Sequence, residues 1–282
     1  MPVPPDIERV RSIVETEWGL AGAEVTAHHG GMNSATWFVT RGAQRWVAKA
    51  VPTTASALAA ALRVATAVEM AGIPAGAPDR PLADLDGMPM ALLRFVPGDP
   101  LTADDSDWLG GALAAVHSAL RGVAVDGEEV LYRPDHTAAH LGVRHWVRDA
   151  VAAAVSSVGT GWTSGLLHTD PAPDAFRAAD NRIGVIDWSV AQRGPLLYDV
   201  ASAVMYAGPR VAESYLGRGV LTPEEVAEGL TPWLRYRWAV QADYFARRIS
   251  VDDRTGVTGS AENEKGLDDA ERFFLDEGRE TA

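Results

Sequence analysis

The apolar positions of the chain change their period about a third of the way along. Ile7, Val10, Ile13, Val14 and Trp18 recur at helical spacing after two prolines and predict a helix over residues 6–18. Short β-rich runs follow at 24–27, 35–40 and 45–51, separated by the turn clusters at 28–34 and 41–44. An alanine-rich helix is predicted over 55–71, a Pro- and Gly-rich link over 72–81 and an apolar strand over 89–95. Beyond residue 105 the pattern is mainly helical. Trp108, Leu109, Leu113, Val116, His117 and Leu120 share one face of a helix over 105–121, with His117 read as a packing histidine. A second helix is predicted over 138–158, around Leu141, Val143, Trp146, Val147 and Val151, running into the stretch that follows. Thr222-Pro223-Glu224-Glu225 reads as a cap, an N1 proline and early acids, so a helix begins there. Thr231-Pro232 predicts the start of a separate one, and 260–278 an acidic terminal helix.

Residues 166–202 interrupt this helical remainder and carry the chemistry. Two apolar runs end in aspartates: Leu166-Leu167-His168-Thr169-Asp170 and Ile183-Gly184-Val185-Ile186-Asp187. Between them the turn cluster 179–182 reads as the bend of a hairpin with strands at 175–178 and 182–186. A third aspartate, Asp199, opens a helical run through Tyr206. A hairpin of this kind brings Asp170 and Asp187 together. Two carboxylates in one cleft repel unless a cation lies between them. A hard cation such as Mg²⁺ suits them, since it keeps several waters and takes phosphate oxygens as further ligands. The other aspartate can then accept a hydroxyl proton, and the set has the parts that phosphoryl transfer needs.

Composition narrows the partners. The chain has 282 residues, 47% of them hydrophobic, enough for two lobes. A net charge of −13 disfavours nucleic acid, whose phosphates require a basic face. It favours cationic partners, or simply solubility. No apolar run is long enough to span a membrane, and the first residues lack a secretory pattern, so a cytoplasmic location is expected. Cysteine is absent, which excludes disulfides and thiolate metal sites.

The three aspartate motifs resemble those of the aminoglycoside phosphotransferase and choline kinase superfamily, small-molecule relatives of protein kinases. His168-Thr169-Asp170 matches the family's His-x-Asp, Ile186-Asp187-Trp188 its hydrophobic-Asp-aromatic, and Tyr198-Asp199-Val200-Ala201 its Asp-hydrophobic-Ala segment. The family's loop asparagine falls on Ala175, with Asp174 one place before it. The resemblance implies an α+β, two-lobe, protein-kinase-like fold: a small antiparallel-sheet N-lobe over 1–97 and a mostly helical C-lobe over 98–282. It implies transfer of the γ-phosphate of ATP or GTP to a hydroxyl of a small acceptor. An antibiotic such as an aminoglycoside is the first expectation, an amino alcohol or sugar the second. A kinase-like binding protein that has lost catalysis is the non-enzymatic alternative. Protein partners stay undefined.

Under the resemblance each site residue has an implied role. Asp170 is the base, Asp187 the Mg²⁺ ligand and Asp174 a replacement for the asparagine. His168 and Asp199 support the loop. Lys49, on a strand in a chain whose only other lysine is Lys265, holds nucleotide phosphates together with Gly30, Gly31 and Ser34. Backbone near Arg94 and Val96 meets the base. Glu69 is the one acid on the helix where kinases carry the lysine's partner, but it lies off the expected place near Leu62. Trp233, Tyr236, Asp243 and Tyr244 suit a ringed acceptor, though an aromatic stripe at helical spacing is more often core.

Overall fold

A computed structural model describes residues 6–28, 34–180, 182–257 and 259–280. Helix α1 (Ile7–Thr16) starts where the Asp6 side chain accepts from the Glu8 N–H at 3.0 Å. Strands β1 (Glu24–His28), β2 (Ala35–Arg41) and β3 (Gln44–Ala50) form a meander. Helix α2 (Ala55–Met70) follows, capped by Thr54, and then β4 (Ala83–Leu85) and β5 (Met88–Arg94). The five strands make one antiparallel sheet in the order β1-β2-β3-β5-β4. Side chains alternate across it. Trp46, Ala48 and Ala50 of β3 join Trp37, Val39, Met90 and Leu92 against Val10, Ile13 and Val14 of α1. Lys49, opposite Thr36 and Ala91 in register, therefore projects from the other face.

Helix α2 belongs to two packing units. Leu58 and Leu62 lie on Val51 and Ala91 of the sheet, while Ala61, Val64, Ala65 and Val68 enter the large core of the second half. A short β6 (Asp99–Pro100) leads into that half and then α3 (Ser106–Ala119), α4 (Val147–Ser157) and β7 (Ser164–Leu167). Next come β8 (Phe176–Ala179), β9 (Arg182–Val185), β10 (Gln192–Pro195), α5 (Leu197–Ala207), α6 (Arg210–Leu216), α7 (Pro223–Ser250) and α8 (Ser260–Glu280). This is the expected α+β arrangement, an antiparallel sheet followed by a mostly helical part. Strand β6 pairs with β8, and β8 with β9, so the chain crossing between the halves is stitched to the hairpin. Asn181, in the hairpin bend, lies outside the described residues.

Three expectations need correction. The helix over 138–158 is instead a 3₁₀ turn at Ala139–Val143 followed by α4. Arg144 takes an extended conformation that breaks the run, and β7, not a helix, leads into the stretch that bears Asp170. No helix begins at Thr231. Helix α7 continues through Pro232, which removes one backbone hydrogen bond from a helix held on both sides. Val226, Gly229, Trp233, Tyr236, Ala239 and Ala242 are buried there, and α4, α5 and α8 all pack against α7. Trp108 falls off the packed face of α3 and is 49% exposed, because the buried stripe runs through Leu109, Leu113, Val116 and His117.

The crossing depends on Gly98. Its φ is +122°, and a Cβ there would stand 2.6 Å from the carbonyl oxygen of Ala178. Gly98→Ala is expected to lower folding stability by more than about 1 kcal/mol, readable as a shifted midpoint in urea denaturation. An unchanged midpoint would show that the crossing relaxes without cost.

Candidate active site

The site is assembled on a buried carboxylate. Asp199, fully buried in the first turn of α5, accepts from the backbone N–H groups of His168 at 2.7 Å and Thr169 at 2.8 Å. His117 of α3 approaches the same carboxylate with Nε2 at 3.1 Å, and its Nδ1 lies 2.8 Å from the Tyr215 hydroxyl of α6. A carboxylate only accepts, so Nε2 carries the proton. Thr169 is held at φ +73°, a conformation that β-branched residues rarely adopt. Its N–H bond to Asp199 and its hydroxyl bond to Val190 O, at 2.8 Å, keep it there. His168 donates from Nε2 to Ile186 O at 2.7 Å, with its ring edge on Trp188. The loops bearing Asp170 and Asp187 are thus tied to each other.

Asp187 sits at φ +72° at the end of β9, just before a 3₁₀ turn, Trp188–Val190, on which α2 packs. Lys49 Nζ reaches Asp187 Oδ1 from β3, and Ser189 Oγ donates to the same oxygen at 3.2 Å. Burial pushes the Asp187 carboxyl up, but the charge and hydrogen bond of Lys49, helped by His168 and Ser189, hold it below the usual carboxylate range. The lysine is 12% exposed and the aspartate 53%, so the pair opens to solvent on the aspartate side.

Asp170 is 52% exposed and is also held through one oxygen. Tyr206 of α5 donates its hydroxyl to Oδ1 at 2.6 Å, and Arg237 of α7 places Nη2 3.1 Å from Oδ1. Among the described residues the second oxygen of each of these aspartates has no hydrogen-bond partner.

The remaining expected residues fall in different places. Asp174 is exposed on the 3₁₀ turn Pro173–Ala175, while Ala175 is buried and accepts from the Ile186 N–H at 2.8 Å. Among the described residues no three His, Cys, Asp or Glu side chains gather as a metal cluster. Asp187, with one carboxylate oxygen open, has the kind of donor that suits a hard cation drawing its other ligands from water and phosphate. Ser34 stands at the entrance to β2, and Gly30 and Gly31 lie outside the described residues.

Arg94 is corrected. Its N–H is spent on Ala77 O at 3.0 Å, and its side chain is engaged by Glu69 and Asp79. Glu69 also accepts from the Ala77 N–H at 3.0 Å, so it braces the loop under the crossing and does not meet Lys49. Val96 is buried beside Gly76 and Gly184, and no backbone hydrogen bond engages Phe95 or Val96 among the described residues.

The acceptor residues are corrected too. Trp233, Tyr236 and Asp243 are buried. Tyr236 donates to Tyr132 O at 2.8 Å, and Asp243 is taken up by Tyr132 and His140. Tyr244 is half-buried against Phe245, with its hydroxyl accepting from Arg248 at 3.2 Å. A helix enclosed by α4, α5 and α8 turns its aromatic stripe into packing. Sequence reading missed Tyr206, Arg237, His117 in its bond to Asp199, and Ser189. An arginine inside that stripe, and Ser202 and Tyr206 one turn apart on α5, were the available signals.

A family model described as the phosphotransferase enzyme family matches residues 24–229. No curated protein sequence matches the chain. Among solved structures, the GDP complex of aminoglycoside 2'-phosphotransferase-IIIa aligns with TM-score 0.69 at 15% identity, covering 94% of this chain and 98% of the other. An amicoumacin kinase in complex with AMP-PNP, Ca²⁺ and Ami aligns with TM-score 0.66 at 12% identity, covering 96% of each chain. A choline/ethanolamine kinase family protein from Mesorhizobium loti aligns with TM-score 0.65 at 14% identity, covering 94% of each. The fold is therefore the kinase-like fold of these enzymes.

Asp199→Ala is expected to cost at least about 3 kcal/mol. It strands three buried donors, each worth about 1–3 kcal/mol when unsatisfied. Chemical denaturation measures it, and a loss below 1 kcal/mol, about that of one ordinary hydrogen bond, would show that the loop is held by other contacts.

Proposed function

The chain belongs to the phosphotransferase enzyme family, and we propose that it transfers the γ-phosphate of ATP or GTP to a hydroxyl of a small antibiotic-like acceptor such as an aminoglycoside. The observation that carries this reading is the pair of exposed aspartates, Asp170 and Asp187, on two loops tied to each other through His168, each held by one oxygen and open at the other. The relatives in nucleotide-analogue, GDP and acceptor complexes support the same reading.

In this reading the open oxygen of Asp170 receives or orients the acceptor hydroxyl, which attacks the terminal phosphate. Lys49 brings positive charge to the phosphates from the sheet side. The unengaged backbone of Phe95 and Val96 offers hydrogen bonds to the nucleotide base, a role the Arg94 N–H cannot share. Asp187 would hold Mg²⁺ with Asp174 as second oxygen donor. When bound, the ion supplies bridging and neutralisation of the phosphate charge. The positive φ at Asp187 turns its carboxylate out of the strand line that precedes it.

The acceptor class rests on the chemistry of known relatives. Their acceptors include antibiotics, while one relative belongs to a choline and ethanolamine kinase family. A panel of aminoglycosides, amino alcohols and sugars with labelled ATP and GTP tests it. Transfer to an amino alcohol alone would replace the antibiotic reading with a metabolic one.

Three expected outcomes follow for the carboxylates. Asp170→Asn should reduce turnover by about 10²–10⁴-fold with nucleotide affinity little changed, whereas parental turnover would remove Asp170 from the reaction. Asp187→Ala should abolish Mg²⁺-dependent nucleotide binding, measured by titration calorimetry. Asp174→Ala should raise the Mg²⁺ concentration for half-maximal rate, and an unchanged profile would leave the ion to Asp187 and non-protein ligands.

A further inference from the structure

Arg237 is an unusual residue to find beside a reacting carboxylate. It lies in the middle of α7, and its side chain is 9% exposed. Its Nε donates to Ser202 Oγ at 2.8 Å, and Nη2 lies 2.9 Å from Tyr206 OH and 3.1 Å from Asp170 Oδ1. The guanidinium carbon stands 5.6 Å from the centroid of the Tyr206 ring. Ser202 and Tyr206 are one turn apart on α5, so both face the same fork. Of these three partners, only Asp170 carries charge. A charge so deeply buried is costly without a counter-ion, so the pairing constrains the arginine as firmly as it constrains the aspartate.

The same geometry restricts Asp170. Two donors from two helices converge on Oδ1. A carboxylate held at one oxygen by donors from different directions loses rotation about its terminal bond, and the other oxygen keeps a fixed heading. Burial above all pushes the Tyr206 hydroxyl far above its ordinary value, so it stays a neutral donor.

We propose that Arg237 and Tyr206 are positioning residues that clamp Asp170 by Oδ1 and present its other oxygen to the acceptor hydroxyl. This rests on the reading of Asp170 as the residue that meets the acceptor. The guanidinium of Arg237 spends its hydrogen bonds on Ser202, Tyr206 and Asp170. It acts through the aspartate, and its effect is on the geometry of attack and not on nucleotide binding.

The experiment is a double-mutant cycle in radiolabelled phosphate transfer, using ATP or GTP and an acceptor that the parent modifies from a panel of one aminoglycoside, one amino alcohol and one hexose. Arg237→Met should lower kcat about ten- to hundredfold, the size of effect produced by misplacing a reacting group, with the nucleotide KM within about twofold of the parent's. Arg237→Lys keeps the charge without the fork and should fall between Arg237→Met and the parent. Tyr206→Phe removes one hydroxyl and should cost roughly three- to tenfold. In an Asp170→Asn background, Arg237→Met and Tyr206→Phe should each add less than about twofold, because the group they position is already impaired. If the full loss reappears in that background, the two residues act independently of Asp170 and the clamp is overturned. Unchanged kcat in both Arg237→Lys and Tyr206→Phe overturns it as well. Should Arg237→Met not fold, the Tyr206→Phe cycle decides alone. A parent that modifies no acceptor in the panel overturns the kinase reading itself, whereas an active parent with uncoupled variants overturns only the clamp.

Discussion

The bond network around the Asp199 carboxylate is the constraint on which the site depends. A fully buried carboxylate needs donors, and here they come from the backbone of the very loop that bears Asp170. The helix that supplies Asp199 also supplies Ser202 and Tyr206, and α3 and α6 reach the same point through His117 and Tyr215. Position in the site is thus inherited from the packing of three helices. The strained backbone of Thr169 is tolerated because its N–H and hydroxyl are both engaged.

The two exposed aspartates follow one design with different partners. Asp187 meets a lysine from the sheet, and Asp170 meets an arginine and a tyrosine from the helices. The choice matches the chemistry of each partner. A lysine on a flexible stem can turn from carboxylate to phosphate, whereas an arginine fork fixed by a serine, a tyrosine ring and a carboxylate stays where it is.

Much of this was legible in the sequence, and the limits have physical reasons. The period-two runs of the first third yield the sheet, since a half-buried strand must alternate. The motifs of Asp170 and Asp187 sit on short loops between strands, where spacing fixes geometry closely. The failures came where tertiary packing overrode local signals. Pro232 reads as a helix start, yet packing on several sides carries α7 through it. Trp233, Tyr236 and Asp243 read as a surface for a ringed ligand, but a helix surrounded by others buries that face. Glu69 lies near enough in sequence to invite a role beside Lys49, while the fold gives it Arg94 and the loop at Ala75–Ala77. Arg237 could not be assigned from its neighbours in the chain, because its partners lie 31 to 67 positions away.

The division of apolar burial has a consequence for how the molecule responds to damage. Strand β3 is anchored in the small core beneath α1, and the loops bearing Asp170 and Asp187 rise from the large one, with α2 packed between the large core and the Val51 and Ala91 side of the sheet. Lys49 and Asp187 therefore rise from separate apolar cores, and their ion pair spans the two. A substitution that loosens Ile13 or Val14 under the sheet would therefore shift Lys49 against Asp187 while leaving the bonds to Asp199, in the other core, in place. Changes far from the cleft can thus act on the lysine end of the ion pair alone, without disturbing the bonds that hold Asp170.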